Sequence, residues 1–566
     1  MTGANAVVRS LENLGVKYTF GMPGLHNLEL FDSLSGSTIK NILVTNESFA
    51  AFMADGYARS TGKVGVCLTI PGPGLTNMVT GLAEAYLDSS AVVVLVTGFA
   101  KSDNVFHTHQ IKQLEVVRPV VKAVIKLDDI KEIPVQLYRA FQLAQQEEPG
   151  PVVVEIDADL LKKQLEFQEN HIAKNEEERP GNNKDKIRQI TEMLIHADFC
   201  GIYAGGGALS AACQIKQLAE ALSMPVATTV SGRGVIPEDH ELAVGFGFGP
   251  SGSKLAEDIF KKCDTILALG CKFSETSTGS WGMDMPDNLI HIDSNQEVFN
   301  KNYPAKITLC QDVKTALEEI LDLIDNVKKP KNTELIEKIR RDKEKYLNDA
   351  EKIKHPGVIS AARFFAQLRK GLRKDTILVT DCGNHQLCAI SDFAVFKPRT
   401  FITPADYQAM GFAIPAAIGA KIGCPEKKVV CVCGDGGFLI SGFEILTAVR
   451  ENLDLTVIVF NDGTLGFIKN LQEAFYDRST STDFVAPDYR SLADSLGIDY
   501  HKIESNGELT SDLKKILSKK KVALVDVKVE YEQLPRYIEG VSKTMWKRFS
   551  WKKKAVLIIE RLMKTH

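Results

Sequence analysis

Apolar residues along this chain gather in short β-branched runs, and between the runs hydrophobic positions recur at helical spacing. Runs such as 91–97 (AVVVLVT) and 429–433 (VVCVC) offer no polar alternate face, as expected of strands buried on both sides of a parallel sheet. In residues 1–165 the pattern predicts a helix at 6–14 and strands at 18–20 and 42–45. A small-residue helix at 48–59 follows, then a strand at 64–70 closing on Pro71-Gly72-Pro73-Gly74, a helix at 76–86 and a strand at 91–97. After the polar stretch 162–185, residues 186–325 repeat the theme with strands at 201–204, 225–229, 265–269 and 290–293. A charged helical segment, 328–354, leads to a third region. It carries a helix at 358–372 and strands at 376–380, 429–433, 455–460 and 523–529. Strand-helix alternation of this kind predicts an α/β chain of three doubly wound parallel-sheet domains at 1–165, 186–325 and 355–535. A basic tail, 541–566, follows.

Composition adds bounds to that picture. A chain of 566 residues exceeds one core, and 44% hydrophobic with 25% charged residues is globular usage. A formal net charge of −4 gives no general attraction for polyanions, so nucleic acid is not an expected partner. The eleven cysteines form no CxxC pair, and Cys67, Cys431 and Cys433 sit inside apolar runs, which predicts reduced thiols and a cytoplasmic protein. No apolar run reaches the length of a membrane span, and the N-terminus lacks a signal-peptide pattern.

Candidate chemistry concentrates in 429–467. The first apolar run stops at Gly434-Asp435-Gly436-Gly437, and a helical pattern follows with Phe443, Leu446, Thr447 and Val449 expected on one face. The second run ends on Asn461-Asp462-Gly463. A right-handed βαβ crossover puts both strand C-termini on one sheet edge, so Asp435 and Asn461 can converge there. Hard oxygen donors beside glycine amides at a helix N-terminus suit a diphosphate carrying Mg²⁺. GDGG alone reads as a tight strand-to-helix turn. It is neither a dinucleotide fingerprint, since Leu439 takes the last glycine's place, nor a Walker loop, since no Gly-Lys-Ser/Thr follows. Gly205-Gly206-Gly207 likewise reads as a structural turn, because Ser210 breaks the fingerprint. Glu47, by residue physics alone, is a first-turn acid complementing a helix dipole, worth about 0.3–1 kcal/mol.

GDG followed one βαβ unit later by a strand-terminal Asn resembles the signature of thiamine-diphosphate (ThDP) enzymes. FGMPG, NES leading into GYAR, and PGPGLTN, at the spacing found here, resemble the pyrimidine-binding domain of that family, above all its acetolactate and acetohydroxyacid synthase group. The resemblance runs from Gly3 to about Val529. It implies pyrimidine-binding, central and diphosphate-binding domains, with Asp435, Asn461 and the Gly463 carbonyl as Mg²⁺ ligands. It further implies cofactor contacts from Gly434, Gly436, Gly437, Asn384 and His385. In that family a glutamate at the position of Glu47 hydrogen-bonds the aminopyrimidine and so acts in acid-base catalysis through the cofactor. A large hydrophobe at the position of Met410 wedges beneath the bent cofactor, although a core gap-filling Met satisfies the residue pattern equally well. Gln110 matches the active-site Gln of the synthases. The two halves of ThDP are held by different subunits, which implies a homodimer or homotetramer.

The implied reaction is decarboxylation of a 2-oxoacid with ligation of the remaining unit to a second carbonyl. Simple 2-oxoacid decarboxylation is the alternative, and a non-catalytic binding protein on the same fold is a third reading. Departures qualify the match. Leu471, downstream of Phe467, stands where acetohydroxyacid synthases carry a pocket Trp, a loss of apolar contact worth roughly 1–3 kcal/mol of discrimination. Phe467 and Leu471 are therefore the expected substrate-pocket residues. The segments 272–276 and 245–252 lack the acidic pair, the Arg and the Met-His of FAD-containing synthases, which argues against FAD. The tail 541–566 carries eight Lys/Arg against one acid, Glu560, with Trp546 and Trp551. It is expected as a packed, lid-like helix rather than a membrane-surface segment.

Overall fold

Among the described residues, three six-stranded sheets, every pairing parallel, form the layers on which the helices are wound. The structure, a computed structural model, describes residues 1–99, 106–164, 183–324, 327, 329–352, 359–504, 509–531 and 536–548. The first sheet has the order β2-β1-β3-β4-β6-β5. Its strands are β1 (Tyr18–Gly21), β2 (Lys40–Leu43), β3 (Gly65–Thr69), β4 (Val92–Gly98), β5 (Ala123–Leu127) and β6 (Val152–Asp157). The second is ordered β12-β11-β10-β7-β8-β9. It comprises β7 (Cys200–Ala204), β8 (Val226–Thr228), β9 (Ala243–Phe246), β10 (Thr265–Leu269), β11 (Asn288–Asp293) and β12 (Ile307–Cys310). In the last region a two-stranded pair, β13 (Ile359–Ser360) with β20 (Val529–Glu530), precedes and follows the third sheet. That sheet, ordered β15-β14-β16-β17-β19-β18, contains β14 (Ile377–Thr380), β15 (Phe401–Ile402), β16 (Val429–Gly434), β17 (Leu455–Phe460), β18 (Asp499–Ile503) and β19 (Ala523–Val527).

The first and third sheets share one compact unit (1–179, 355–386 and 399–530), and the second belongs to another (180–354, 387–398 and 531–566). Within the first unit two helices meet backbone to backbone. A β-carbon at Gly56 would lie 2.1 Å from the Ala416 carbonyl oxygen, and one at Gly419 would lie 1.9 Å from that of Met53. This contact explains the run of small residues in both Glu47–Thr61 and Ala413–Gly423. Nearly every residue of each helix is buried, so the shared core lies between the two sheets.

In the second unit the turn after β7 is closed by backbone: a β-carbon at Gly205 would sit 2.2 Å from the carbonyl oxygen of Gly270, whose own φ is +56°. The structural reading of Gly205-Gly206-Gly207 fits this packing. The helix Arg536–Arg548 lies in the same unit. Arg536 Nε donates to the Gly252 carbonyl at 2.7 Å, Gly540 abuts Pro250, and the Arg548 guanidinium lies 5.6 Å from the Trp281 ring centroid. That helix contains the start of the basic tail, whereas Trp551 and Glu560 fall outside the described residues. Among the described residues no helix is long and apolar enough to cross a membrane.

Several element boundaries differ from the expectation. The helix after β3 begins at Pro73 rather than 76, because proline is suited to a first helical position and Gly72 supplies the φ of +65° before it. The helix expected from 358 begins at Ala361, after residues 359–360 have paired with β20. The largest correction concerns the segment after Asp435. It runs as Asp435–Ser441, a 3₁₀ turn at Gly442–Glu444, then Ile445–Arg450. The tighter turn shifts the angular register, so Phe438, Ile445, Thr447 and Ala448 are buried while Phe443 is 65% and Leu446 40% exposed.

Candidate functional site

Parallel strands bring their C-terminal ends to one edge, and on the third sheet β14, β16 and β17 deliver Asp381, Asp435 and Asn461 there. Asp435, 1% exposed, opens the helix Asp435–Ser441. Its Oδ1 accepts the Gly436 N–H at 2.8 Å, and its Oδ2 accepts the N–H groups of Gly463 at 2.6 Å and Asp462 at 3.1 Å. Burial raises its pKa while those N–H donors pull it down. Asn461 donates its Nδ2 to Asp526 Oδ1 at 3.1 Å, which commits the amide nitrogen and leaves Oδ1 as an oxygen donor. The Gly463 carbonyl accepts from Phe484 at 3.2 Å and retains a second lone pair.

Asn384 and His385 sit at the start of the helix Asn384–Asp392, both buried. Among the described residues, neither polar atom of the Asn384 amide, nor Nε2 of His385, has a hydrogen-bond partner. The imidazole lies against glycine: a β-carbon at Gly434 would stand 3.3 Å from its Cε1 and one at Gly383 would stand 3.1 Å away. Burial pushes His385 down to about 3, so it is neutral. A β-carbon at Gly436 would meet the Met410 methyl at 3.2 Å, which places Met410, 38% exposed, against the same turn. Gly437 packs in turn on the Asp381 carboxylate. Asp381 accepts the N–H groups of Gly411 at 3.0 Å and Ala413 at 2.9 Å, and burial raises it to about 6.

Glu47 stands on the first sheet's side. It is the first residue of Glu47–Thr61, after an Asn46 cap whose Oδ1 accepts the Ser48 N–H at 2.9 Å. Its carboxylate is buried and accepts Asn77 Nδ2 at 2.9 Å. Asn77 belongs to the PGPGLTN segment, yet no spacing rule singles it out. Glu47 and Asp435 share no hydrogen bond among the described residues. Gln110 is exposed and its Oε1 accepts the His107 N–H at 3.4 Å. Nearby, the rings of His26 and His109 are 5.2 Å apart, and His107 stacks on Phe99 at 5.1 Å. Phe467 and Leu471 lie half-buried on the helix Gly466–Tyr476, which has no fully buried residue.

A parallel α/β sheet with a carboxylate, an amide oxygen and glycine amides at its C-terminal edge defines a class of cofactor-binding proteins, and sequence comparison places the chain within it. Three family descriptions match in succession: "Thiamine pyrophosphate enzyme, N-terminal TPP binding domain" at residues 1–116, the central domain at 187–320, and the C-terminal TPP binding domain at 381–527. The chain belongs to the thiamine pyrophosphate enzymes and is a ThDP-dependent enzyme.

It is 32% identical to a probable acetolactate synthase large subunit of Methanocaldococcus jannaschii, over 95% of this chain and 94% of that protein. It is 34% identical to the acetolactate synthase isozyme 3 large subunit of Escherichia coli (strain K12), over 95% and 97% respectively. An acetolactate synthase of Mycobacterium leprae is 33% identical over 88% of this chain and 82% of that protein.

The residues present fit the cofactor. The unpartnered buried atoms of Asn384 and His385 and the glycine-lined turn accommodate a polar anionic group. No cluster of three or more His, Cys, Asp or Glu able to hold a metal occurs among the described residues. One carboxylate with amide and carbonyl oxygens would instead suit a Mg²⁺ ion, which takes few protein ligands beside phosphate oxygens.

Proposed function

We propose that this enzyme decarboxylates a 2-oxoacid and ligates the remaining unit to a second carbonyl compound, in the manner of acetolactate synthases. The observation that carries the reading is the Asp435 carboxylate clasping the 461–463 turn beside the unpartnered amide of Asn384. In this reading Asp435, Asn461 and the Gly463 carbonyl hold Mg²⁺. Asn384, His385, Gly434, Gly436 and Gly437 would receive the diphosphate, and Met410, packed against the Gly436 turn, would support the cofactor. ThDP, when bound, supplies the electron sink for decarboxylation. Glu47 holds and returns a proton at the pyrimidine ring, and Asn77 fixes the orientation of its carboxylate. Gln110, Phe467 and Leu471 contact substrate, with Leu471 leaving more room for the acceptor than an aromatic residue would. The second unit works without FAD.

Two copies complete each site, Glu47 coming from one and Asp435 with Asn461 from the other, in a cytoplasmic homodimer or homotetramer. Leu439, Ile440, Phe443 and Leu446 support this, since they expose apolar surface on the very segment that begins at Asp435, and a second copy would cover it. The histidines around Phe99 favour a second reading, simple decarboxylation, because imidazoles beside the Glu47 side of the fold could protonate a product in place of ligation.

The test is incubation of purified protein with ThDP, Mg²⁺ and a panel of 2-oxoacids, with CO₂ release and products identified. Acetolactate-type products support ligation, aldehyde alone supports decarboxylation, and neither CO₂ nor product from any member of the panel overturns both.

A further inference from the structure

A carboxylate that the reaction does not use lies fully buried between the two sheets of the first unit. Glu444, 0% exposed, stands in the 3₁₀ turn Gly442–Glu444, downstream of Asp435 on the same segment. Its Oε2 accepts the N–H of Thr45 at 3.1 Å and also the Thr45 hydroxyl, while its Oε1 accepts the Thr447 hydroxyl at 2.8 Å. The neighbouring groups make the same connection: Arg450 Nη2 donates to the Leu43 carbonyl, Thr447 Oγ1 lies 3.2 Å from that oxygen, and Lys40 pairs with Glu451 at 2.5 Å. The end of β2 is thus stitched to the segment that starts at Asp435.

Thr45 lies two residues before the catalytic candidate in sequence. One residue, Asn46, separates it from Glu47, and Asn46 is itself committed to capping the Glu47–Thr61 helix. The backbone from which Glu47 projects is therefore held on one side by Glu444, while its carboxylate is held on the other by Asn77. A buried carboxylate is expensive to desolvate and is kept only where several donors converge on it. Here two of the three donors belong to the residue two before Glu47.

We infer that Glu444 is a positioning residue for Glu47, setting the exit of β2 so that the Glu47 carboxylate is presented at a fixed angle. The inference rests on the reading of Glu47 as the acid-base group. In the two-copy arrangement it also means that each chain ties the Glu47 of one site to the Asp435 segment of the other.

The test compares Glu444→Ala, Glu444→Gln and the control Ile445→Val, a neighbouring core residue, in the full-length enzyme. Glu444→Ala should lower kcat at least about tenfold with the ThDP Kd changed less than about threefold, as expected for an interaction that matters in the transition state. Glu444→Gln, which keeps one acceptor oxygen for the Thr45 N–H, should recover part of that loss. Ile445→Val should lower the melting temperature with kcat unchanged. In cofactor-free protein, hydrogen exchange across residues 43–50 should accelerate in Glu444→Ala and not in the control. In a Glu47→Gln background, Glu444→Ala should cost little further turnover, because the group it positions is gone. Wild-type kcat in Glu444→Ala, or a full multiplicative loss in the double variant, overturns the proposal. Should Glu444→Ala fail to fold, Thr45→Val, which deletes only the hydroxyl donor, must lower kcat with ThDP affinity retained or the proposal fails. Undiminished turnover in Glu47→Gln would overturn the catalytic reading itself, and is recognised by that single variant alone.

Discussion

Glu84 accepts the backbone N–H of Ala409 at 3.0 Å, reaching from a helix of the first sheet to the residue that precedes Met410. It belongs to a buried cluster around Arg59, whose guanidinium also meets Asp55 at 2.6 Å and Asp88 at 2.9 Å and donates to the Thr403 carbonyl at 2.8 Å. Asp88 in turn accepts the N–H groups of Ala405 at 2.7 Å and Asp406 at 2.9 Å. With Asp381 holding Gly411 and Ala413, three carboxylates grip the backbone on both sides of Met410.

Replacing Arg59 should therefore be severe. Burial acts to lower the Arg59 pKa, and Asp55, Asp88 and Glu84 together outweigh it. Arg59→Met would leave those acids buried without their cation, at a cost of about 3–5 kcal/mol. Chemical denaturation should show it, and a loss below about 1 kcal/mol would contradict the packing described.

Glu47→Gln keeps the shape of the side chain and an acceptor for Asn77, but it cannot exchange a proton. Turnover on any active 2-oxoacid should fall by at least about a hundredfold, the scale of acid-base contributions, with ThDP affinity close to wild type. Steady-state rates with parallel binding isotherms check this. Loss of binding in place of loss of rate would reassign Glu47 to the cofactor's affinity.

Asp435→Asn removes the negative charge from the candidate cation site while retaining much of the side chain's volume. In wild type, ThDP with Mg²⁺ at a hundredfold over Kd should raise stability by about 2.7 kcal/mol. The variant should show little of that gain in a thermal-shift measurement. An equal shift in both proteins would remove Asp435 from the site.

His291 offers a pH test away from the chemistry. It is fully buried, its Nε2 donates to the Cys271 carbonyl at 2.9 Å, and burial pushes it down to about 4. Because the folded state disfavours the protonated ring, the contribution is present above the unfolded value near 6.5. It is lost as pH falls from there toward 4, by roughly 3 kcal/mol in all. The stability advantage of wild type over His291→Gln should therefore shrink on acidification through that window. A difference independent of pH would show that His291 does not titrate in the folded state as described.

Much of this enzyme was legible before folding. Uninterrupted β-branched runs such as 91–97 and 429–433 specify buried parallel strands, because only a strand covered on both faces needs no polar alternate position. Glycine at 434 and 436, with an oxygen-bearing side chain at 435 and 461, is the pattern from which an anion and cation site is proposed. Glu47 was visible only through the motif around it, since a first-turn glutamate is ordinary by itself. Strand-helix alternation carried the three-sheet plan, and the resemblance gave its parts their expected roles. Helical spacing failed at Phe443 and Leu446, because a 3₁₀ turn rotated the segment in a way that averaged periodicity does not register.

What the tertiary structure alone decided is which polar groups share a burial site across long separations. Asn77 meets Glu47 from another helix, Glu444 meets Thr45 across 399 residues, and Asp88 meets Ala405 across 317. Such contacts leave no periodic trace, because their partners are set by how whole layers pack and not by neighbours along the chain. A lone buried acid in sequence is indistinguishable from a solvated one until the donors that justify its burial have been brought to it.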